Sequence, residues 1–243
     1  MPAATRNWLA LAALAGAFGC AHATEDTDTP GDGRWEINLG VSAQRTSTRW
    51  EYAAPDTDFN YGLGERVQLV LAIPHMLLRE PGVDAVSGLG SATVALKWRM
   101  IDQEAAGVAL ALFPAYSWNL SRSAARRGLV EPGSSLLLPL VAGVRYGATG
   151  LFAEAGRNFM QQGPHEWLAG VKATRQCLPT LECRIELQHS VAERQGGRTL
   201  ASLGFKWSVA QDLIVQASAG RDFGPSGDDR RQLALKFGIQ LLR

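Results

Sequence analysis

Apolar residues recur at every second position through one segment of this chain after another, a spacing that suits a strand and defeats a helix. Successive strand side chains point to opposite faces, so a period of two builds one apolar and one polar face, whereas a helix would scatter the same residues around its circumference. The first case is Trp35, Ile37, Leu39, Val41 and Ala43, with Glu36, Asn38, Ser42 and Gln44 between them. The pattern returns in Val67-Leu69-Leu71-Ile73, in Ala92-Val94-Leu96-Trp98, and in Val108-Leu110-Leu112 continuing past Pro114 to Tyr116 and Trp118. It resumes at Leu136-Leu138-Leu140-Ala142-Val144-Tyr146, Leu151-Ala153-Ala155, Trp167-Ala169-Val171-Ala173 and Ile185-Leu187-His189-Val191. Ala201-Leu203-Phe205-Trp207-Val209, Leu213-Val215-Ala217-Ala219 and Leu233-Leu235-Phe237-Ile239-Leu241 follow, and with a segment from Trp50 to Tyr61 the total is about twelve strands.

Each segment matches a tilted membrane crossing of roughly 9 to 11 residues. The links alternate in length: 62–65, 102–107, 147–150 and 210–212 are short, whereas 80–90, 119–134, 157–166, 192–198 and 222–230 are longer and polar. Short periplasmic turns and longer outer loops are the rhythm of an up-and-down barrel, with both chain ends periplasmic when the strand number is even. A soluble sandwich or lipocalin-like barrel alternates too, with its apolar face turned inward. The strand count, the small and charged residues on the second face, and aromatics near strand ends (Trp35, Tyr61, Trp98, Tyr116, Trp118, Tyr146, Trp207) favour the membrane form. The expected fold class is therefore all-β, a transmembrane up-and-down antiparallel β-barrel over residues 34–243 in the bacterial outer membrane.

Residues 1–23 read as an export signal: a cation at Arg6, an apolar run from Trp8 to about Phe18, and the small-x-small site Ala21-His22-Ala23. No stretch supplies the roughly 18 uninterrupted apolar residues of a helical span. Losing Arg6 with the signal cancels the chain's single net positive charge, leaving no footprint for nucleic acid. Residues 24–33, acidic and broken by Pro and Gly, are expected to form a flexible periplasmic lead-in. Cys20 leaves a second processing open, because Ala17-Phe18-Gly19-Cys20 loosely follows a lipoprotein box. Ala17 and Phe18 are not the residues such a box prefers, which favours removal of Cys20 with the signal.

Cys177 and Cys183 flank the turn-like Leu178-Pro179-Thr180-Leu181-Glu182. In an exported chain that spacing points to a local disulfide. Two cysteines with no nearby histidine make at best half of a metal site.

Two stretches, residues 60–69 with Ile73-Pro74 after them and residues 88–99, resemble a family of outer-membrane transporters named for the MetA pathway of phenol degradation. One is Asn60-Tyr61-Gly62-Leu63-Gly64-Glu65-Arg66-Val67-Gln68-Leu69 followed by Ile73-Pro74, similar to the family's aromatic, Gly-Leu, turn, basic residue and alternating strand closing near proline. The other is Gly88-Leu89-Gly90-Ser91-Ala92-Thr93-Val94-Ala95-Leu96-Lys97-Trp98-Arg99, similar to its glycine-rich entry to a strand ending Lys-aromatic-Arg. The family has an acidic residue where Ser91 stands, and an aromatic end where this chain ends Leu241-Leu242-Arg243. The resemblance implies passage of small solutes, hydrophobic and aromatic ones among them, and recognition of an alternating C-terminal strand by the barrel-insertion machinery.

With the apolar set facing lipid, Lys97, Arg99, Arg145, Glu154, Lys172, Glu186, Gln188, Lys206, Gln216 and Lys236 become the lumen-lining candidates. Their mixed signs fit charges paired across a narrow barrel, and equally a charged constriction that selects permeants. Gly143 and Gly170 on the same side leave space. No cofactor, metal or catalytic group is expected. His75 and His165 stand beside prolines without ligand spacing, and His22 leaves with the signal. His189 and Ser190 are neighbours on a strand and so face opposite ways, against a lipid hydrolase. Arg122, Arg126 and Arg127 share one outer loop, where they are either solvated or in contact with lipopolysaccharide. The expected role is a passive pore or small-solute transporter. The alternative is a structural or partner-binding barrel with a plugged lumen.

Overall fold

The computed structural model describes residues 23–193, 196–224 and 230–243. All of the expected signal at 1–23 except Ala23, and so Cys20 with it, lies outside these residues. Strand order follows chain order: β1 (Trp35–Arg45), β2 (Trp50–Leu63), β3 (Val67–Ala72), β4 (His75–Arg79), β5 (Val86–Leu89), β6 (Ser91–Ile101), β7 (Ala109–Leu112) and β8 (Ala115–Asn119). They continue as β9 (Ser134–Tyr146), β10 (Thr149–Met160), β11 (Glu166–Leu178), β12 (Leu181–Ala192), β13 (Arg198–Ala210), β14 (Leu213–Phe223) and β15 (Leu233–Leu242). Three crossings are each made of two segments, β3 with β4, β5 with β6, and β7 with β8, so the sheet is a closed antiparallel barrel of twelve strands. The breaks fall where the backbone cannot continue the ladder: Pro74 and Pro114 lack a donor, and Gly90 sits opposite Pro74, its N–H donating to the Pro74 carbonyl at 2.8 Å.

Closure comes from β1, which pairs with both β2 and β15, Leu39 standing opposite Thr57 on one side and Ile239 on the other. Arg243, standing where an aromatic end was expected, is part of that seam. Its N–H donates to the Trp35 carbonyl at 2.9 Å and its guanidinium pairs with Asp212 at 2.9 Å. The segment from Trp50 is a full strand, extending to Leu63 and so into the link expected at 62–65. Pro55 is accommodated because the β1–β2 register shifts between Gly40 and Ser42, opposite it.

The faces divide as the alternation requires. Leu151, Val171, Ile185, Leu187 and Leu203 point outward and are exposed, Leu203 at 66%. An apolar outside is unfavourable in water and favourable in lipid, so this is the exterior of a membrane barrel. Exposed aromatics ring both ends: Trp35, Trp98, Tyr146 and Trp207 near the short turns, Tyr116, Phe159, Trp167 and Phe223 near the long loops. Among the described residues no helix is long and apolar enough to cross a membrane. At the long-loop end, a short helix, α1 (Arg122–Arg126), buries Ala124 with Leu129 and Val130 against Met76, Leu78 and Val86. Arg127 reaches the Ser87 carbonyl at 2.9 Å, so one cation of that loop serves packing.

The short turn after β11 carries the bonded pair Cys177–Cys183, with Cα atoms 6.0 Å apart. The bond ties β11 to β12 at the end where the C-terminus also lies.

Candidate functional site

Inward-facing residues enclose a polar cavity of about 620 Å³. Of the residues expected to line it, Lys97, Arg145, Lys172, Glu186, Lys206, Gln216 and Lys236 do so. Glu154 and Gln188 also face inward and are buried. Arg99 is the exception. Near the end of β6 it binds Asp102 at 2.8 Å and the Glu65 carbonyl at 2.8 Å, and so braces the short-turn mouth rather than the interior.

The larger correction concerns the expected flexible lead-in. Residues 24–33 run into the barrel and occupy its interior. Entry is fixed at the mouth, where Thr29 Oγ1 donates to the Glu65 carbonyl at 2.7 Å and the Gly64 N–H donates to Asp32 at 2.8 Å. The backbone passes so close to β2 that a Cβ at Gly62 would lie 1.8 Å from the Gly31 carbonyl oxygen, which explains glycine there. Deeper in, Lys97 Nζ lies 3.0 Å from Glu25 and 3.5 Å from Asp26, and takes the Asp28 carbonyl at 3.3 Å. Lys172 approaches Asp26 at 3.8 Å, and Arg145 pairs with Asp28 at 2.5 Å. Burial alone would raise the Asp26 carboxyl, but Lys97, Lys172, Lys206 and Arg145 outweigh it and hold that group, on a segment that does not itself span the membrane, well below the usual carboxylate range.

At its far end the segment meets acid instead. The Glu25 N–H donates to Glu154 at 2.8 Å, and the Thr24 nitrogen donates to Glu186. Gly170 lies between these carboxylates on β11, and a Cβ there would fall 2.2 Å from Thr24 Oγ1. The space that the inward glycines were expected to leave is therefore filled by the chain's own N-terminal segment.

The remaining wall is acidic. Asp58 on β2 accepts from Asn38 at 2.7 Å and from Asn60 at 2.5 Å, and Asn60 in turn accepts from Gln68 at 2.7 Å. Glu36 accepts from Gln240 at 3.0 Å, and Asp56 faces Lys236 at 3.7 Å. Thus carboxylates gather on β1–β2, with Lys236 of β15 beside them, while the cations of β6, β9 and β11–β13 share their side with Glu154 and Glu186. Sequence reasoning placed Glu36 and Asn38 on the polar face but did not single them out, and it omitted Asp56, Asp58, Asn60 and Arg184. For Asp56, Asp58 and Asn60 on β2 the signal was the same alternation, obscured by Pro55, whereas Arg184 lies in the unbroken alternation of β12.

No serine–histidine pairing exists at His189. Its Nδ1 lies 2.9 Å from Thr199 Oγ1, whereas Ser190 accepts from Arg198 at 3.3 Å on the other face. Among the described residues no group of histidine, cysteine and carboxylates could hold a metal ion.

No family model matches the sequence, and no curated protein matches it. Solved structures do resemble it. The COG4313 outer membrane channel from Pseudomonas putida F1 superposes with a TM-score of 0.71 at 13% identity, over 90% of this chain and 98% of that one. The NanC porin gives 0.62 at 6% identity over 84% and 98%. The KdgM porin, in complex with disordered oligogalacturonate, gives 0.56 at 7% over 85% and 98%. The twelve-strand barrel with its apolar belt is thus the fold of bacterial outer-membrane channels and porins.

Proposed function

We propose that the chain is a passive channel for small solutes in the bacterial outer membrane, with its conductance limited by the segment 24–33. The observation that carries this reading is the plug itself: an acidic strip held by Lys97, Lys172 and Arg145 within a polar cavity. These contacts are ion pairs lining a polar cavity rather than a packed apolar seal, so a charged permeant can compete for them. A lumen lined by charges of both signs favours small polar solutes. The hydrophobic and aromatic permeants implied by the family resemblance would need a path away from those charges. The processing expected from the sequence, removal of 1–23 as a signal peptide, fits an N-terminus that ends inside the lumen.

The test is single-channel conductance in planar bilayers, comparing the wild type with a variant lacking 24–33. Deletion should raise conductance severalfold and admit small sugars in liposome swelling. If neither protein conducts or admits solute, the barrel is a closed structural one, and the second reading, a partner-binding barrel with a plugged lumen, takes its place.

A further inference from the structure

Two successive backbone nitrogens of the plug point at two buried carboxylates. Thr24 N meets Glu186 on β12, and Glu25 N meets Glu154 on β10. Thr24 itself is 1% exposed, while Ala23 before it is exposed. Among the described residues Glu186, 9% exposed, takes one amide hydrogen from the plug, and its charged neighbour on the same strand is Arg184. Lys172, opposite it in the β11–β12 register, leans toward Asp26. A desolvated carboxylate is satisfied far better by a cation with several donors than by one neutral amide.

The sequence supplies such a cation at this place. Ala21-His22-Ala23 is a small-x-small site, and cutting after it makes Thr24 the first residue. We propose that Glu186 is the receptor for the free α-ammonium of Thr24, so that cleavage of the leader completes docking of the plug. Hydrolysis of the Ala23–Thr24 amide by the export peptidase adds one water across the C–N bond. A carboxylate is left on Ala23, and the nitrogen leaves as a protonated amine. One neutral donor at Glu186 becomes a charged group with three. Cleavage also removes the apolar run from Trp8 to Phe18, which an uncut chain would have to carry into or past a polar lumen. Gly170 is the complement to this fit, because any side chain there would displace the new terminus from the carboxylate.

The inference rests on the plug reading above and adds to it a chemical group and its receptor. Three measurements on the full-length protein purified from outer membranes test it. N-terminal sequencing and intact mass should report Thr24 as the first residue. Glu186→Gln should raise open probability in planar bilayers at least tenfold. So should insertion of Gly-Gly between Ala23 and Thr24, which moves the ammonium two residues away and leaves every barrel residue unchanged. The double variant should open no further than either single one, since both remove the same contact. A different first residue, a lipidated Cys20 included, overturns the proposal. So does an insertion variant that gates like the wild type, because Glu186 would then need only a backbone amide, and so does an opening confined to the insertion. Failure of the plug reading looks different: deleting 24–33 would leave conductance unchanged.

Discussion

Lys97 shows how one side chain can belong to two designs. On β6 it occupies the polar parity between Leu96 and Trp98, which alternation alone assigns to the lumen. At 3% exposure it is nevertheless a buried cation, held 5.1 Å from the Phe113 ring centroid and against Glu25 and Asp26. A hydrogen bond to a charged group contributes roughly 1.5–3 kcal/mol, so Lys97→Ala should raise the undocked population of the plug about ten- to a hundredfold. The readout is open probability in planar bilayers at low and high salt. An unchanged open probability would show that Lys97 does not hold the segment. Leu203 tests the opposite face. It lies mid-strand on β13 between Ile185 and Ala219 and points outward. Leu203→Arg should cost about 2–4 kcal/mol, as a charge at the bilayer midplane does, measured by denaturant unfolding in lipid vesicles. A cost near zero would place the belt elsewhere.

Among the elements, the β11–β12 hairpin and the N-terminal segment were legible to different degrees. The hairpin is local: alternation marks both strands, and Cys177 and Cys183, six apart, sit where the turn brings them together. Closing so short a loop constrains the unfolded chain by about 2 kcal/mol in the chain-entropy account. The Cys177→Ser/Cys183→Ser protein should therefore lose about that much stability in guanidinium unfolding while keeping its conductance, because the bond lies at the rim and not beside the plug. A change in conductance would tie the rim to gating. The N-terminal segment was misread for a physical reason. Thr24-Glu25-Asp26-Thr27-Asp28-Thr29 has no apolar residue, and an acidic strip without a partner belongs in water. Its partners lie 72 residues away at Lys97 and 117 away at Arg145, beyond any local pattern.

The whole molecule is held by ladders that close on themselves, with small inward residues such as Ala111 and Val141 where a globular protein would have a core. A barrel with no free edge resists detergent until heated, so the unboiled protein should run at a different apparent size from the boiled one on a gel. Equal migration would remove the closed barrel from consideration. Period, strand number, the lipid-facing set and the hairpin disulfide were all in the sequence, because each depends on the geometry of a few consecutive residues. Closure of β1 on β15, the acidic wall across β1 and β2, and the docking of residues 24–33 were decided only by tertiary structure. Which charge meets which across a lumen depends on the register of strands far apart in the chain, and local alternation carries no information about that.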